Sequence, residues 1–138
     1  MSAEKSPRLA QRGSPVILDT SVLIDSLTGP KRSEPTLYRL VQEGERIALP
    51  SLVLYEWLRG PRTENEIADQ EELFPASAAL AFGPEEATLS ARLYRSMPRA
   101  RGRELDLAIA ACAILHEGQL WTLNRRDFAD IPGLVLIG

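Results

Sequence analysis

The sequence contains very few of the residues that cross-link small proteins or bind zinc. One cysteine, Cys112, and one histidine, His116, occur among 138 residues. A lone cysteine excludes an internal disulfide and fits a reducing compartment. The two residues together are too few for a zinc site of the His/Cys type, and a single histidine argues against a histidine-based triad. Hydrolytic chemistry in this chain therefore has to rest on carboxylates, hydroxyls, lysine or arginine.

Long apolar runs are also missing from the sequence. No stretch approaches the ~20 residues that a membrane-spanning helix requires. Residues 1–15 are polar and lack the apolar segment of a secretory signal. We therefore expect a cytoplasmic protein with no membrane association.

Positive charge is not in excess. The chain has 16 lysine and arginine residues against 19 acidic ones, which gives a net charge of −3. A protein that holds nucleic acid by phosphate neutralisation alone is usually basic. Either nucleic acid is not the substrate, or another group, such as a bound divalent cation, supplies the positive charge.

The length and the residue pattern predict a single α/β domain. Residues 1–14 are polar and aperiodic, so we predict a flexible N-terminal tail followed by one domain over 15–138. Short apolar runs alternate with amphipathic segments, which favours a three-layer α/β/α fold with a mainly parallel sheet. The predicted strands cover 16–18, 47–49, 79–82, 120–123 and 134–137, and the predicted helices cover 20–27, a segment ending before Gly44, 51–59, 64–74, 84–97, 105–117 and 125–129.

Asp19 stands between two apolar segments. It follows the predicted strand 16–18 and precedes the helix that begins at Thr20. Ligands of open parallel sheets bind at the carboxyl ends of the strands, which favours a site role for Asp19. The alternative is a helix N-cap, a position where Asp is preferred and which Thr20 or Ser21 could share. The position alone leaves both interpretations open.

Glu56 is the one charged residue in the apolar run 52–58. A helix that is apolar on nearly every side is typical of a buried helix. A buried carboxylate without a partner is strongly destabilising, so Glu56 needs one. The sequence offers two possibilities, a functional site or an ion pair with Arg59 at i+3, and surface pairs of the latter kind contribute little.

Asp106 lies in the first turn of the apolar helix predicted over 105–117. The small residues Ala110 and Ala113 follow on its face. Small side chains allow another element to pack closely, which indicates a carboxylate held at the end of a tightly packed helix. The simpler alternative is a favourable interaction of Asp106 with the helix dipole.

Asp127 and Asn124 follow the predicted strand 120–123. Their position at the carboxyl end of a strand makes them candidates for the same site. The alternatives are that Asn124 caps the short helix after it and that Asp127 pairs with Arg125 or Arg126.

A shared cation would explain acids that lie near one another. Two carboxylates about 4 Å apart repel by about 4 kcal/mol at an effective dielectric constant near 20. A cluster therefore persists only if some members are protonated or a cation lies among them. Carboxylate oxygens are hard ligands that suit Mg²⁺ or Mn²⁺, and water on such an ion can attack a phosphodiester.

Four stretches of the chain resemble the PIN-domain family, and within it the VapC-type toxins of bacterial toxin–antitoxin pairs. They are 16–21 (VILDTS), 56–60 (EWLRG), 106–113 (DLAIAACA) and 122–128 (TLNRRDF). The resemblance implies a Mg²⁺- or Mn²⁺-dependent endoribonuclease that cleaves single-stranded RNA. It also implies a homodimer and inhibition by a cognate antitoxin protein. Within the family pattern, Asp19, Glu56 and Asp106 form the catalytic metal site, and Ser21 or Thr20 assists.

The chain departs from the family at the fourth acid. Relatives often carry an aspartate where this chain has Asn124. The resemblance therefore leaves the fourth role either to Asp127 or to the side-chain carbonyl of Asn124, and it leaves the number of metals, one or two, open.

Arginines are concentrated just before the Asp106 helix, over residues 92–103. We hypothesise that this segment contacts RNA phosphates, chiefly through Arg99, Arg101 and Arg103. The alternative is a solvated face whose charge balances the acidic stretch 64–72.

Two other functions are compatible with the sequence. A catalytically inactive binding module would keep the PIN-like fold and the antitoxin contact, although the three intact acids speak against it. An aspartyl-phosphate phosphotransferase would use Asp19 as its nucleophile. The segment after Asp19 lacks the second nearby aspartate that the haloacid-dehalogenase type uses.

Overall fold

Four short parallel strands form the centre of the computed structural model, which describes residues 13–137. In the order of the sheet, the strands are β2 (Ile47–Ala48), β1 (Val16–Leu18), β3 (Gln119–Trp121) and β4 (Val135–Leu136). All three pairings are parallel. The strands β1 and β3 are buried along their whole length because they lie in the middle of the sheet.

Six α-helices pack around the sheet within the described residues. They are α1 (Thr20–Leu27), α2 (Glu34–Gln42), α3 (Ser51–Arg59), α4 (Glu64–Leu73), α5 (Pro84–Ser96) and α6 (Glu104–Leu115). Short 3₁₀ turns cover Ala76–Ala78 and Arg125–Asp127. The predicted α/β/α fold with a parallel sheet is confirmed.

The helix α6 is the most deeply buried helix. Every residue from Leu107 to Cys112 is buried, and Ala110 and Ala113 are completely inaccessible. It packs against α5, α3 and β3. The small alanine side chains permit this close packing, as the sequence predicted, and they fix the position of the first turn that carries Asp106.

The register between β1 and β3 brings two chain segments side by side at one edge of the sheet. Leu18 is aligned with Trp121, so the residues that follow, Asp19 and Thr122, are neighbours. Gly118 permits this close approach. A Cβ atom on Gly118 would lie 2.7 Å from Cγ1 of Ile17 and 2.9 Å from the carbonyl oxygen of Pro15.

One sequence prediction about the middle of the chain is wrong. Residues 79–82 do not form a strand, and one bridge joins Leu80 to Pro50 there. The amide of Ser51, the first residue of α3, donates to the carbonyl of Leu80 at 2.8 Å, so the start of that helix is bonded to the same segment.

The predicted full burial of α3 is also wrong. Val53 and Trp57 are buried, but Tyr55 is 55% exposed and Leu58 is 44% exposed. The helix buries one face on the core and presents an apolar face to solvent, which the sequence pattern alone does not distinguish from burial on all sides.

The ends of α6 also differ slightly from the prediction. It begins at Glu104 rather than Leu105 and ends at Leu115 rather than Glu117. Glu117 has a φ of 54°, a left-handed conformation that stops the helix.

The predicted tail over 1–14 lies outside the described residues except for Gly13 and Ser14. No helix within 13–137 is long and apolar enough to cross a membrane.

Candidate active site

Asp19 lies in the connection between β1 and α1 and is only 4% exposed. Its amide donates to the carbonyl of Trp121 at 3.0 Å, which ties it to the end of β3. It occupies the N-cap position of α1, but its side chain makes no capping hydrogen bond. The carboxylate is therefore directed to other partners, and the capping alternative does not account for it.

Two hydroxyl groups hold the Asp19 carboxylate. Ser21 Oγ donates to Oδ2 at 2.8 Å, and Thr122 Oγ1 donates to the same oxygen at 2.7 Å. Both hydroxyls in turn accept backbone amides, Ser21 from Leu123 at 3.0 Å and Thr122 from Asn124 at 2.9 Å. Both hydroxyl bonds reach Oδ2, and neither engages Oδ1.

Thr122 is a residue of the site that the sequence patterns did not predict. In the structure it is 4% exposed and is the hydroxyl nearest to Asp19. A usable signal existed, because Thr122 directly follows β3 as Asp19 follows β1. Parallel strands bring such residues to the same sheet edge, but the register that aligns them is not visible in the sequence.

Glu56 lies on α3 and makes contacts of two kinds. Thr20 Oγ1 donates to its Oε1 at 2.5 Å, which links α3 to the first residue of α1. Arg59 Nη2 lies 3.8 Å from its Oε2, so the ion pair expected at i+3 is present. Because the Arg59 side chain is 56% exposed, that pair contributes little to stability.

Asp106 is half-buried in the first turn of α6, and its surroundings raise its pKa to about 6. Burial is the largest cause, followed by the charges of Asp19, Asp127 and Glu56, while Arg103 acts in the opposite direction. All four candidate acids therefore share one electrostatic environment. This environment disfavours the charged form of Asp106 unless a positive charge enters it.

Asp127 and Asn124 are both exposed to solvent. Asp127 ends the 3₁₀ turn after β3, and Asn124 occupies the N-cap position of that turn without a side-chain cap. Arg125 donates to the carbonyl of Ile137 at 2.7 Å. In the described part of the chain, Asp127 forms no ion pair with Arg125 or Arg126, so that alternative is not realised.

The donor set suits a hard divalent cation. Carboxylate and hydroxyl oxygens are the ligands that Mg²⁺ and Mn²⁺ prefer, and a cation would relieve the repulsion on Asp106. Within residues 13–137, no three acidic, histidine or cysteine side chains are already arranged to hold a metal ion. Mg²⁺ is commonly bound by one or two carboxylates and keeps several of its waters.

The three arginines that the sequence proposed as RNA contacts are in different surroundings. Arg99 and Arg101 are exposed at the turn between α5 and α6. Arg103, at the N-cap position of α6, bonds to Asp130 through both terminal nitrogens, and its side chain is 20% exposed.

Comparisons with known proteins agree on the fold. A family model described as PIN domain matches residues 16–134. No curated protein sequence matches the chain significantly. A crystal structure of DNA-bound VapBC from Salmonella typhimurium matches with a TM-score of 0.74 and 21% identity, covering 89% of this chain and 96% of that one.

Two further solved structures are similar to this chain. VapBC2 from Rickettsia felis, bound to a DNA fragment from the promoter, has a TM-score of 0.68 and 22% identity, covering 88% of this chain and 96% of that one. VapBC-5 from Mycobacterium tuberculosis, a member of the VapBC family of toxin–antitoxin systems, has a TM-score of 0.60 and 27% identity, covering 89% and 94%.

Proposed function

This chain belongs to the PIN domain family, and we propose that it is a Mg²⁺- or Mn²⁺-dependent endoribonuclease that acts as the toxin of a toxin–antitoxin pair. The single observation that carries the proposal is the electrostatic cluster at the sheet edge. Burial and the charges of Asp19, Asp127 and Glu56 raise the pKa of Asp106 to about 6. Such a cluster is costly in a protein that has no cation to place there.

Asp19, Glu56 and Asp106 would hold the ion, directly or through water. When bound, the ion makes its water more acidic and stabilises the charge that develops on phosphate oxygens. Ser21 and Thr122 orient the Asp19 carboxylate through their bonds to Oδ2, and Thr20 orients Glu56. Asp127, or the carbonyl of Asn124, would be an auxiliary ligand.

The substrate we propose is single-stranded RNA. The net charge of −3 is unfavourable for a phosphate chain, so the cation has to supply attraction at the reacting phosphate. The exposed arginines Arg99 and Arg101 would contact phosphates farther along the chain.

The partner we propose is a cognate antitoxin protein, and the oligomer a homodimer. Support for the antitoxin comes from the neighbours, which are described as VapBC or FitAB complexes. The fold likeness covers most of this chain and of each neighbour, so a binding surface for such a partner fits the same domain.

RNA cleavage with and without metal tests the enzyme proposal. Purified protein is incubated with end-labelled single-stranded RNA in Mg²⁺ or in chelator. We expect cleavage in Mg²⁺ alone, and a loss of roughly 10³-fold in Asp19→Asn, which corresponds to about 4 kcal/mol of transition-state stabilisation. The matched control is Asp69→Asn, an exposed acid on α4, which should cleave like the parent. Cleavage in chelator, or an active Asp19→Asn, would refute the mechanism.

A second candidate, a binding module without catalysis, is favoured by one observation. Within the described residues, no group of three acidic, histidine or cysteine side chains is arranged so that it could hold a metal ion. Calorimetric titration with Mg²⁺ and Mn²⁺ separates the two candidates, because a module that has lost its chemistry should bind neither ion at the acids.

A further inference from the structure

Arg103 makes four hydrogen bonds within the chain through its two terminal nitrogens. Nη1 donates to the carbonyl of Arg99 at 3.1 Å and to Oδ2 of Asp130 at 2.9 Å. Nη2 donates to the carbonyl of Asp127 at 2.8 Å and to Oδ1 of Asp130 at 2.6 Å. Each terminal nitrogen of a guanidinium carries two hydrogens. All four are therefore used, so a two-point contact to an RNA phosphate, which needs at least one terminal nitrogen beside the fifth donor Nε–H, would break an internal bond.

These bonds connect two segments that each carry a candidate acid. The backbone of Arg103 forms the N-cap of α6, where its carbonyl accepts the amide of Leu107 at 2.9 Å and Asp106 lies in the first turn. The side chain reaches the segment after β3, where it holds the backbone of Asp127 and the carboxylate of Asp130. The paired bonds to Asp130 have the planar two-point geometry that Arg provides and Lys does not.

We infer that Arg103 is a positioning residue, which fixes Asp127 relative to Asp106, rather than a contact to RNA phosphate. The inference rests on the proposed nuclease function for its effect on catalysis. The inference assigns the role of the fourth acid in the site to Asp127. The bond from Arg103 to the carbonyl of Asp127 determines where the turn that carries Asp127 lies. Arg99 and Arg101, which are exposed, keep the role of phosphate contacts.

Cleavage kinetics distinguish positioning from RNA contact. Residues that orient a metal ligand cost about 10–100-fold when they are removed. We expect Arg103→Ala to lower kcat about tenfold and to change KM less than about twofold. Asp130→Asn should act in the same direction, and the double variant should be no worse than Arg103→Ala, because both remove one connection. A higher KM with an unchanged kcat, or a harmless Asp130→Asn, would overturn the inference.

Two variants sharpen the kinetic comparison. Arg103→Lys keeps the positive charge near Asp106 but replaces two donor nitrogens with one. It should therefore restore less than half of the kcat that Arg103→Ala loses, measured on a logarithmic scale. Full recovery by lysine would mean that charge alone matters and would overturn the inference. The matched control is Arg32→Ala, which removes another arginine paired to an aspartate, at 3.9 Å from Asp25 and away from the site. It should leave kcat and KM unchanged.

Hydrogen exchange of the whole chain tests the positioning without any nuclease activity. The amides of Asp127, Phe128 and Ala129 are bonded within the turn that Arg103 holds. In Arg103→Ala and Arg103→Lys we expect them to exchange about tenfold faster, while amides of β1 and β3 keep their rates. Unchanged exchange in the turn would overturn the inference. If the parent cleaves no RNA, the proposed function fails, and the exchange result still decides whether Arg103 positions the turn.

Discussion

The inner half of the candidate site (Asp19, Ser21 and Thr122) is built differently from its outer half (Asn124 and Asp127). In the inner half, strand register and two hydroxyl bonds hold a carboxylate that is 4% exposed. In the outer half, both side chains are exposed on a short turn, and Arg103 bonds to the backbone there. The fold itself determines the first arrangement, whereas a small number of side-chain contacts determine the second.

This difference bears on how the two halves respond to substitution. The acid at the end of β1 stands in a buried connection, where any change disturbs the sheet edge. Asn124 and Asp127 stand on an exposed turn, where a side chain can change without disturbing the sheet. A comparison of variants in the two halves should therefore give effects of different size.

Among variants that leave the Asp19 carboxylate in place, the largest effect is expected from Thr122→Val. Valine keeps the shape of the side chain but removes the donor to Asp19 and the acceptor for the Asn124 amide. We expect cleavage to fall roughly 100-fold, at the upper end of the range for groups that orient a metal ligand. The measurement is initial cleavage rate in saturating Mg²⁺.

The control for that variant is Thr88→Val, which removes a hydroxyl that donates to the carbonyl of Pro84 on the exposed side of α5. It should cleave like the parent. If Thr122→Val and Thr88→Val behaved alike, the hydroxyls at Asp19 would have no part in orienting it.

A second prediction concerns Asp106, whose pKa is raised by Asp19 of the inner half and by Asp127 of the outer half. Its folded-state pKa of about 6 lies above its usual value near 3.8, so the folded state binds this proton more tightly than the unfolded state. The stabilisation from protonated Asp106 is therefore present at acid pH and is lost as pH rises through about 6. After allowance for solvent screening of a half-buried group, the loss is about 1–2 kcal/mol.

The variant Asp106→Asn should remove this pH dependence. In chelator, it should be more stable than the parent at pH 7.5 by about 1–2 kcal/mol, and the gain should disappear near pH 3, below the usual pKa of 3.8. Urea denaturation at the two pH values measures the free energy of unfolding, with Glu104→Gln in the same helical turn as control. An equal stability difference at both pH values would contradict the electrostatic origin of the effect.

The smallest effects are expected in the outer half. We expect Asp127→Asn to lower cleavage about tenfold and Asn124→Ala about twofold, because an exposed auxiliary ligand is partly replaced by water. Cleavage rates of the two variants under one set of conditions rank the two candidates for the fourth role. The reverse order would give that role to Asn124 and would separate Arg103 from catalysis.

Local sequence patterns were sufficient to predict the strand and the helices that carry Asp19 and Asp106. The apolar run 16–18 and the helix from Thr20 to Leu27 match β1 and α1, because a buried strand and a helix start leave local signals. The buried face of α6 with its alanines was predicted for the same reason. The positions of Asp19 and Asp106 follow from these elements.

Tertiary neighbours decided the features that the sequence did not reveal. The role of Thr122 depends on the register of β3 against β1. The side chain of Arg103 bonds to Asp130, which lies 27 residues farther along the chain. The exposure of Tyr55 and Leu58 depends on which elements pack against α3. None of these relations has a local pattern, since the residues involved are far apart in the chain.

The most direct test of the central claim, that Asp106 and the outer acid Asp127 act on one cation, is Mn²⁺ binding followed by electron paramagnetic resonance at pH 7.5. We predict saturable binding by the parent, weakened at least about tenfold in Asp106→Asn and in Asp127→Asn, with Asp69→Asn as the unchanged control. Equal Mn²⁺ affinity in the parent and Asp106→Asn, or no saturable binding by the parent, would contradict the claim.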